Sequence, residues 1–113
     1  MGSADEHELR QCDGAVTLAF SVLGKRWNGM ILDALGGGAM SFVELRRGVQ
    51  GISDAVLSDR LAELTEARLV VRDVAPGPPV TVSYELTEAG VRLLPILTQL
   101  GEWATASLSP APR

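Results

Sequence analysis

The sequence predicts a mostly helical α+β domain, because five segments have helical periodicity and one hairpin interrupts them. Two of the helices are joined by a short connection containing Gly51, and the hairpin follows the second of them directly. That order is typical of a winged helix-turn-helix with a two-stranded β wing. With 113 residues, 46% of them hydrophobic, the chain is long enough to bury the core of one such domain.

The first two helices are predicted from apolar residues that recur three, four and seven positions apart. Residues 14–23 carry such a stripe, and Gly24 ends the segment. Residues 26–35 repeat the pattern, with Trp27 and Met30 counted among the apolar positions. Three glycines at 36–38 stop this second helix.

The next two helices form the predicted helix-turn-helix pair. Ser41 and Glu44 have the spacing of a capping box and open a short helix over 41–49. Ser53 is a second N-cap and opens a helix over 53–67. In such a pair the first helix braces the second, which enters the major groove. The buried stripe of the second helix consists of Leu57, Leu61 and Leu64.

A hairpin and a long capped helix complete the predicted domain. Residues 69–74 are rich in valine, and residues 80–86 alternate apolar and polar side chains as a half-buried strand does. The proline-rich segment 75–79 joins them as a stiff turn. Thr87 caps a last helix that runs to about Ser107. A single domain over 1–113 is expected, with flexible tails at 1–11 and 108–113.

The cysteine and histidine content disfavours several function classes. One Cys and one His supply neither an intrachain disulfide nor the four ligands of a structural zinc site. Because Cys12 and His7 both lie in the first dozen residues, no catalytic group, metal or cofactor is assigned, and an enzyme is disfavoured. No apolar run approaches the ~18 residues of a spanning helix, and the first residues lack a secretory pattern. A cytoplasmic protein with no membrane partner is expected.

Charge is distributed unevenly along the chain and leaves DNA binding open. The net charge of −4 argues against a nucleic-acid partner, but residues 24–72 carry seven bases and six acids. Nine of the ten bases are arginine, whose guanidinium group suits phosphates and guanine edges. Codon bias in a GC-rich genome explains the same preference.

Eight short motifs, at residues 23–27, 31–35, 42–47, 51–53, 57–61, 78–80, 84–90 and 102–104, stand out along the chain. Together they resemble the HxlR-type bacterial transcriptional regulators of the MarR-like superfamily. The motifs occur in the family's order, with almost no gaps, over residues 12 to about 104. The resemblance implies a homodimeric winged-helix transcription factor, usually a repressor, that binds a two-fold symmetric operator on double-stranded DNA.

Outward residues of the predicted recognition helix are the candidates for contact with bases. The leucine stripe points inward, so the first two turns present polar and small side chains to the groove. Two interpretations stay open for the carboxylates. Each can accept from a cytosine amino group, or Asp54 stabilises the helix dipole and Asp59 pairs with Arg60 or another arginine. The candidates are Ser53, Asp54, Ala55, Ser58 and Asp59.

Five basic residues are the candidates for phosphate contacts, and the wing adds three more residues. The alternative for the bases is a solvated surface or ion pairing with Glu44 and Glu63. Relatives often carry bases where Ala55, Thr81 and Glu85 stand, so a shallower salt dependence is expected here. A winged-helix interaction module without DNA binding is therefore the alternative function. The candidates are Arg46, Arg47, Arg60, Lys25 and Arg26, with Pro78, Pro79 and Thr81 in the wing.

The terminal helices are predicted to form a dimer. The last helix carries more apolar residues than one core-facing stripe needs. Part of this surface can pack on the domain itself, namely Leu93, Leu97, Leu100 and Ala104. That leaves Ile96 and Trp103 for a two-fold partner. The first helix is expected to join them, as in the family, although one core could absorb all of these side chains. The predicted interface comprises Val16, Phe20, Ile96, Leu100 and Trp103.

Cys12 is the candidate for redox sensing. It corresponds to an N-terminal cysteine of many HxlR-type regulators, some of which sense oxidants or electrophiles through it. Arg10 and a helix N-terminus favour the thiolate, whereas Asp13 opposes it. Oxidation would yield an intersubunit disulfide, a mixed disulfide or a sulfenic acid, and the alternative is an inert thiol. A small-molecule effector in an apolar pocket is a further hypothesis.

Overall fold

The computed structural model describes residues 14–108, in which helices flank a single hairpin. The predicted mostly helical winged helix-turn-helix is confirmed. Cys12 and the predicted tail 1–11 lie outside the described residues, as do residues 109–113. The elements are α1 over residues 14–23, α2 (Asn28–Ala34) followed by a 3-10 turn (Leu35–Gly37), α3 (Phe42–Gly48), α4 (Asp54–Glu66), β1 (Val70–Ala75), β2 (Thr81–Leu86) and α5 (Glu88–Ser107).

The hydrophobic core lies where α2, α3 and α4 meet, and the sheet closes it. The leucine stripe of α4 is buried as predicted, with no member more than 2% exposed. Each such side chain stabilises the domain by about 1.5–3 kcal/mol, so the stripe determines which side of α4 faces outward. The core consists of Ile31, Leu32, Leu35, Leu45, Val49, Ile52, Leu57, Leu61, Leu64, Val70 and Leu86.

Both predicted N-caps of the helix-turn-helix are present. The Ser41 hydroxyl accepts from the Glu44 amide at 3.1 Å, and the Glu44 carboxylate accepts from the Ser41 amide at 2.8 Å. The Ser53 hydroxyl accepts from the Val56 amide at 3.2 Å and caps α4. Between the helices, Gly51 adopts a φ of 93°, which a residue with a side chain would reach only under strain. Gly51 therefore allows the short connection between α3 and α4.

The wing is an antiparallel hairpin that is also bonded to the start of α3. Its register runs from Val70 opposite Leu86 to Ala75 opposite Thr81. Met40 extends the sheet by one residue, since it exchanges two backbone hydrogen bonds with Tyr84, of 2.9 and 2.8 Å. The wing and the helix-turn-helix are thereby held in a defined relative position.

Helix α2 starts later than the sequence predicts, and one predicted core position, Met30, faces outward, whereas Ile31 and Leu35 are buried as predicted. Trp27 has a φ of 83°, outside helical geometry, so α2 begins at Asn28. Asn28 is 1% exposed and donates a 2.8 Å side-chain hydrogen bond to the Val22 carbonyl, whereas Met30 is 55% exposed. The buried positions 28, 31, 32 and 35 form a helical stripe. The apolar pattern of the sequence does not reveal its first position, because Asn28 is polar.

Helix α5 packs on the core with only part of its apolar surface. Leu100 is 41% exposed, so the prediction that it packs into the domain's own core is wrong. Leu93 and Leu97 do pack against the core, as predicted.

Within the described range, no helix is both long and apolar enough to cross a bilayer.

Candidate nucleic-acid interface

The outward face of α4 carries the predicted base-contacting residues. Asp54, Ala55, Ser58 and Asp59 are all exposed, while the leucines between them are buried. Their predicted exposure is therefore confirmed. The first turn of α4 leaves backbone amides without helical partners, and such amides can hold a phosphate.

An ion pair links the two helices of the motif. The Arg46 guanidinium on α3 donates from one nitrogen to both carboxylate oxygens of Asp54, at 3.1 and 3.5 Å. Both side chains are well exposed, at 44% and 63%, so the pair adds at most about 1 kcal/mol to stability. Its larger consequence is positional, because the first residue of α4 is tied to a candidate phosphate contact. Sequence reasoning considered Glu44 and Glu63 as partners of the bases, not Asp54.

A second cluster joins α4 to the turn after α1. One oxygen of Glu63, Oε2, accepts from Lys25 Nζ at 3.0 Å and from the Arg60 guanidinium at 3.1 Å. Arg60 was considered as a partner of Asp59, but within residues 14–108 Asp59 makes no ion pair. The alternative interpretation, in which these bases pair with Glu63, therefore describes Lys25 and Arg60 in the isolated chain.

Two candidate phosphate contacts remain outside these ion pairs. Arg47 lies in the last turn of α3, exposed, and forms no ion pair with any described residue. Arg26 lies over the ring of Trp27, its guanidinium carbon 4.6 Å from the ring centroid. That ring lies 3.3 Å from where a Cβ on Gly51 would stand. Arg26 is therefore next to the turn of the helix-turn-helix.

The wing contributes exposed residues and one base that sequence reasoning missed. Pro78, Pro79 and Thr81 are exposed at the tip, as a groove-contacting wing requires. Arg72 on β1 stands opposite Tyr84, and it lines a cavity of about 420 Å³ together with Ser58 of α4. The sequence does show Arg72 as a basic residue within a predicted strand, but only the packing of the hairpin brings it close to α4.

Comparison with known proteins identifies the family of this winged helix-turn-helix. The model of the HxlR-like helix-turn-helix family matches residues 22–112. The chain belongs to the HxlR-like helix-turn-helix family. It is 41% identical over 92 residues to the HTH-type transcriptional regulator YodB of Bacillus subtilis, covering 81% of this chain and 82% of YodB.

Solved structures agree with the assignment to the HxlR-like family. The reduced form of YodB superimposes with a TM-score of 0.78 at 40% identity, covering 85% of this chain and 94% of the other. The reduced form of the redox regulator HypR superimposes with a TM-score of 0.78 at 33% identity, covering 84% of this chain and 94% of HypR. This HxlR-family chain is a DNA-binding transcriptional regulator. That finding favours DNA binding over the alternative of an interaction module.

The residues predicted for dimerisation lie on the two terminal helices of the HxlR-family domain. Val16 and Phe20 on α1 are 57% and 53% exposed. Ile96 and Trp103 on α5 are each 54% exposed, and Leu100 lies between them. The described domain therefore leaves all five predicted side chains accessible to a partner.

Proposed function

We propose that this HxlR-family regulator is a homodimer that binds a two-fold symmetric operator and represses transcription. The observation that supports a dimer is the exposure of large apolar side chains along α1 and α5. Apolar side chains concentrated on a surface typically mark an interaction site. A C2 dimer would present two copies of α4 to half-sites about one helical turn of DNA apart, which matches a palindrome.

In this proposal α4 enters the major groove and basic residues around it contact phosphates. Ser53, Ser58 and the carboxylates of Asp54 and Asp59 would face base edges, with Ala55 against a thymine methyl group. Arg47 and Arg26 would make the first phosphate contacts, because no described carboxylate pairs with them. Arg46, Lys25 and Arg60 would contribute less while their carboxylates hold them, and the wing tip would follow the adjacent backbone.

A charge placed on the apolar surface tests the dimer. We expect Trp103→Glu to convert the protein to a monomer in sedimentation equilibrium, since burying an unpaired carboxylate in an interface is costly. Operator binding should weaken by more than about tenfold, because two half-sites are no longer bound together. Met30→Glu is the matched control, as Met30 is 55% exposed on α2, outside the predicted interface. A dimeric Trp103→Glu protein would contradict the proposal.

The direction of control needs a separate assay. We expect transcription in vitro from the promoter upstream of the gene to fall as the protein is added. A rise in transcript with the same protein and the same template would identify an activator instead.

We propose further that oxidants or electrophiles regulate this protein through Cys12, its single cysteine. Two similar proteins support the idea by the states in which they were solved: YodB in reduced, diamide-treated and quinone-bound forms, and HypR in reduced and oxidised forms. With diamide, two thiols would lose two electrons and two protons and join as a disulfide, the diamide becoming the hydrazine. The thiols would be two Cys12 side chains, or Cys12 and a small thiol. A quinone would instead accept the Cys12 thiolate at a ring carbon. The carbon–sulfur bond forms as a ring C=C π bond opens toward a carbonyl oxygen, and proton uptake with rearomatisation gives a thioether hydroquinone.

Loss of the thiol tests the redox proposal. We expect diamide to change the gel shift of the wild-type protein on its promoter DNA and to leave Cys12→Ser unaffected. A non-reducing gel distinguishes an intersubunit disulfide, at twice the mass, from a mixed disulfide. If both proteins respond to diamide alike, Cys12 is not the sensor.

A non-covalent effector next to α4 would meet walls that combine polar and apolar side chains. A cavity of about 400 Å³ lies between α1, α2 and α4, and its lining includes Lys25, Asn28 and Glu63. We propose the electrophile as the effector, in preference to a small molecule in an apolar pocket, because the similar protein YodB was solved in a quinone-bound form.

A further inference from the structure

We propose that Glu63 lowers the DNA affinity of this regulator by pairing with Lys25 and Arg60 and keeping them from phosphates. The inference rests on the proposed DNA contacts and adds to them an acidic residue that sets their strength. Glu63 would make no contact with DNA itself. It would act by competing with the duplex for two cations.

The geometry places both cations on a single oxygen atom. Lys25 Nζ and an Arg60 guanidinium nitrogen lie 3.0 and 3.1 Å from Glu63 Oε2. The side chains of Glu63 and Arg60 are only 36% and 19% exposed, so water and salt screen this pair less than an open surface pair. Arg60 Nε is buried and finds no partner within the described residues, which leaves the guanidinium oriented by Glu63.

The cluster joins parts of the fold that would meet DNA separately. Lys25 lies in the turn between α1 and α2, whereas Arg60 and Glu63 lie one turn apart on the recognition helix. A cation already neutralised by a carboxylate gains little from a phosphate, because it must give up one anion to bind another. It also contributes less to the release of counterions from DNA, which drives phosphate binding. Arg47, without a described carboxylate partner, has no such competitor.

The salt dependence of binding is the observable that separates this role from a structural one. Each phosphate contact steepens the slope of log K against log salt by about 0.9. If Glu63→Gln frees both cations, the slope should steepen by up to about 1.8. Between about 50 and 200 mM salt, the variant should then lose up to about twelvefold more affinity than the wild type. At the lower salt concentration it should bind several-fold more tightly.

Glu66→Gln is the matched control for charge. Glu66 lies three residues further along α4, is exposed, and makes no ion pair with any described residue. Both variants change the net charge from −4 to −3, but only Glu63→Gln releases cations. Fluorescence anisotropy would measure both on a duplex from upstream of the gene and on a scrambled duplex of the same length, because the phosphate contribution does not depend on sequence. Thermal unfolding would check that the variants are folded.

A Lys25→Gln substitution in both backgrounds completes the test. In the wild type it should leave the slope nearly unchanged, and in the Glu63→Gln protein it should make the slope shallower by about 0.9. Equal slopes for Glu63→Gln and Glu66→Gln would overturn the inference, as would weaker binding by Glu63→Gln. If Glu63→Gln does not fold, a slope already shallower by about 0.9 in Lys25→Gln alone would overturn it too. Wild-type protein that binds neither duplex would overturn the proposed contacts themselves.

Discussion

Substitution of Gly90 by alanine should destabilise the domain strongly, although alanine is ordinarily the better helix former. Gly90 is buried in the first turn of α5, where its amide donates to the hydroxyl of the N-cap Thr87 at 3.2 Å. A Cβ at this position would overlap the carbonyl oxygen of Leu69 and stand 3.1 Å from a methyl group of Leu86. The Leu69 carbonyl cannot retreat freely, because it accepts the 3.0 Å hydrogen bond from the Thr87 amide.

The expected magnitude follows from three contributions. Overpacking a filled site costs about 1–3 kcal/mol. Loss of the hydrogen bond from Thr87 to Leu69 costs about 0.5–1.5 kcal/mol. The gain in helix propensity from glycine to alanine returns about 0.5–1 kcal/mol. The free energy of unfolding should therefore fall by about 2 kcal/mol in Gly90→Ala.

Gly101→Ala is the matched control in the same helix. A Cβ there meets nothing within 4 Å, so the propensity gain of about 0.5–1 kcal/mol should appear as added stability. Urea unfolding followed by far-ultraviolet circular dichroism, at one fixed protein concentration, measures both variants. The same substitution should thus change stability in opposite directions at two sites of α5. A Gly90→Ala protein as stable as the wild type would refute the argument from close packing.

Three further predictions concern α4 and its surroundings. Ser53→Ala removes the N-cap of α4 and should lower the free energy of unfolding by about 1 kcal/mol, whereas Ser58→Ala, exposed in the middle of the same helix, should change it by less than about 0.5 kcal/mol. Leu64→Ala should lower the free energy of unfolding by about 2–5 kcal/mol, measured in urea, because the Leu64 side chain is 0% exposed. Leu108, at 60% exposed, is the control, and a similar loss in Leu108→Ala would show that burial does not explain the effect. Arg47→Gln should make the slope of log K against log salt shallower by about 0.9 in anisotropy titrations of DNA binding. Arg92→Gln, whose arginine pairs with Glu88 on α5, should leave that slope unchanged.

Caps, stripes and turns along the chain were predictable because they depend on neighbours within a few residues. The capping box at Ser41, the N-cap at Ser53 and the leucine stripe of α4 were all confirmed, since backbone amides and helical periodicity act locally. The hairpin was confirmed for the same reason, because alternation and a proline-rich turn define it. Resemblance to the HxlR-type regulators was likewise carried by short local motifs and agrees with the family match.

The tertiary structure decided what depends on distant residues. Asn28 is buried and Met30 exposed because the position of α2 against the core, not the hydrophobicity of each residue, selects the inward side. The sheet gains Met40 because Tyr84 lies beside it only after folding. The ion pairs show the same dependence, since Arg46 meets Asp54 across the helix-turn-helix and Lys25 meets Glu63 across 38 positions of sequence. The charges can be counted from the sequence, but their partners follow from which helices pack together. Within residues 14–108, that packing leaves Arg26 and Arg47 without a carboxylate partner.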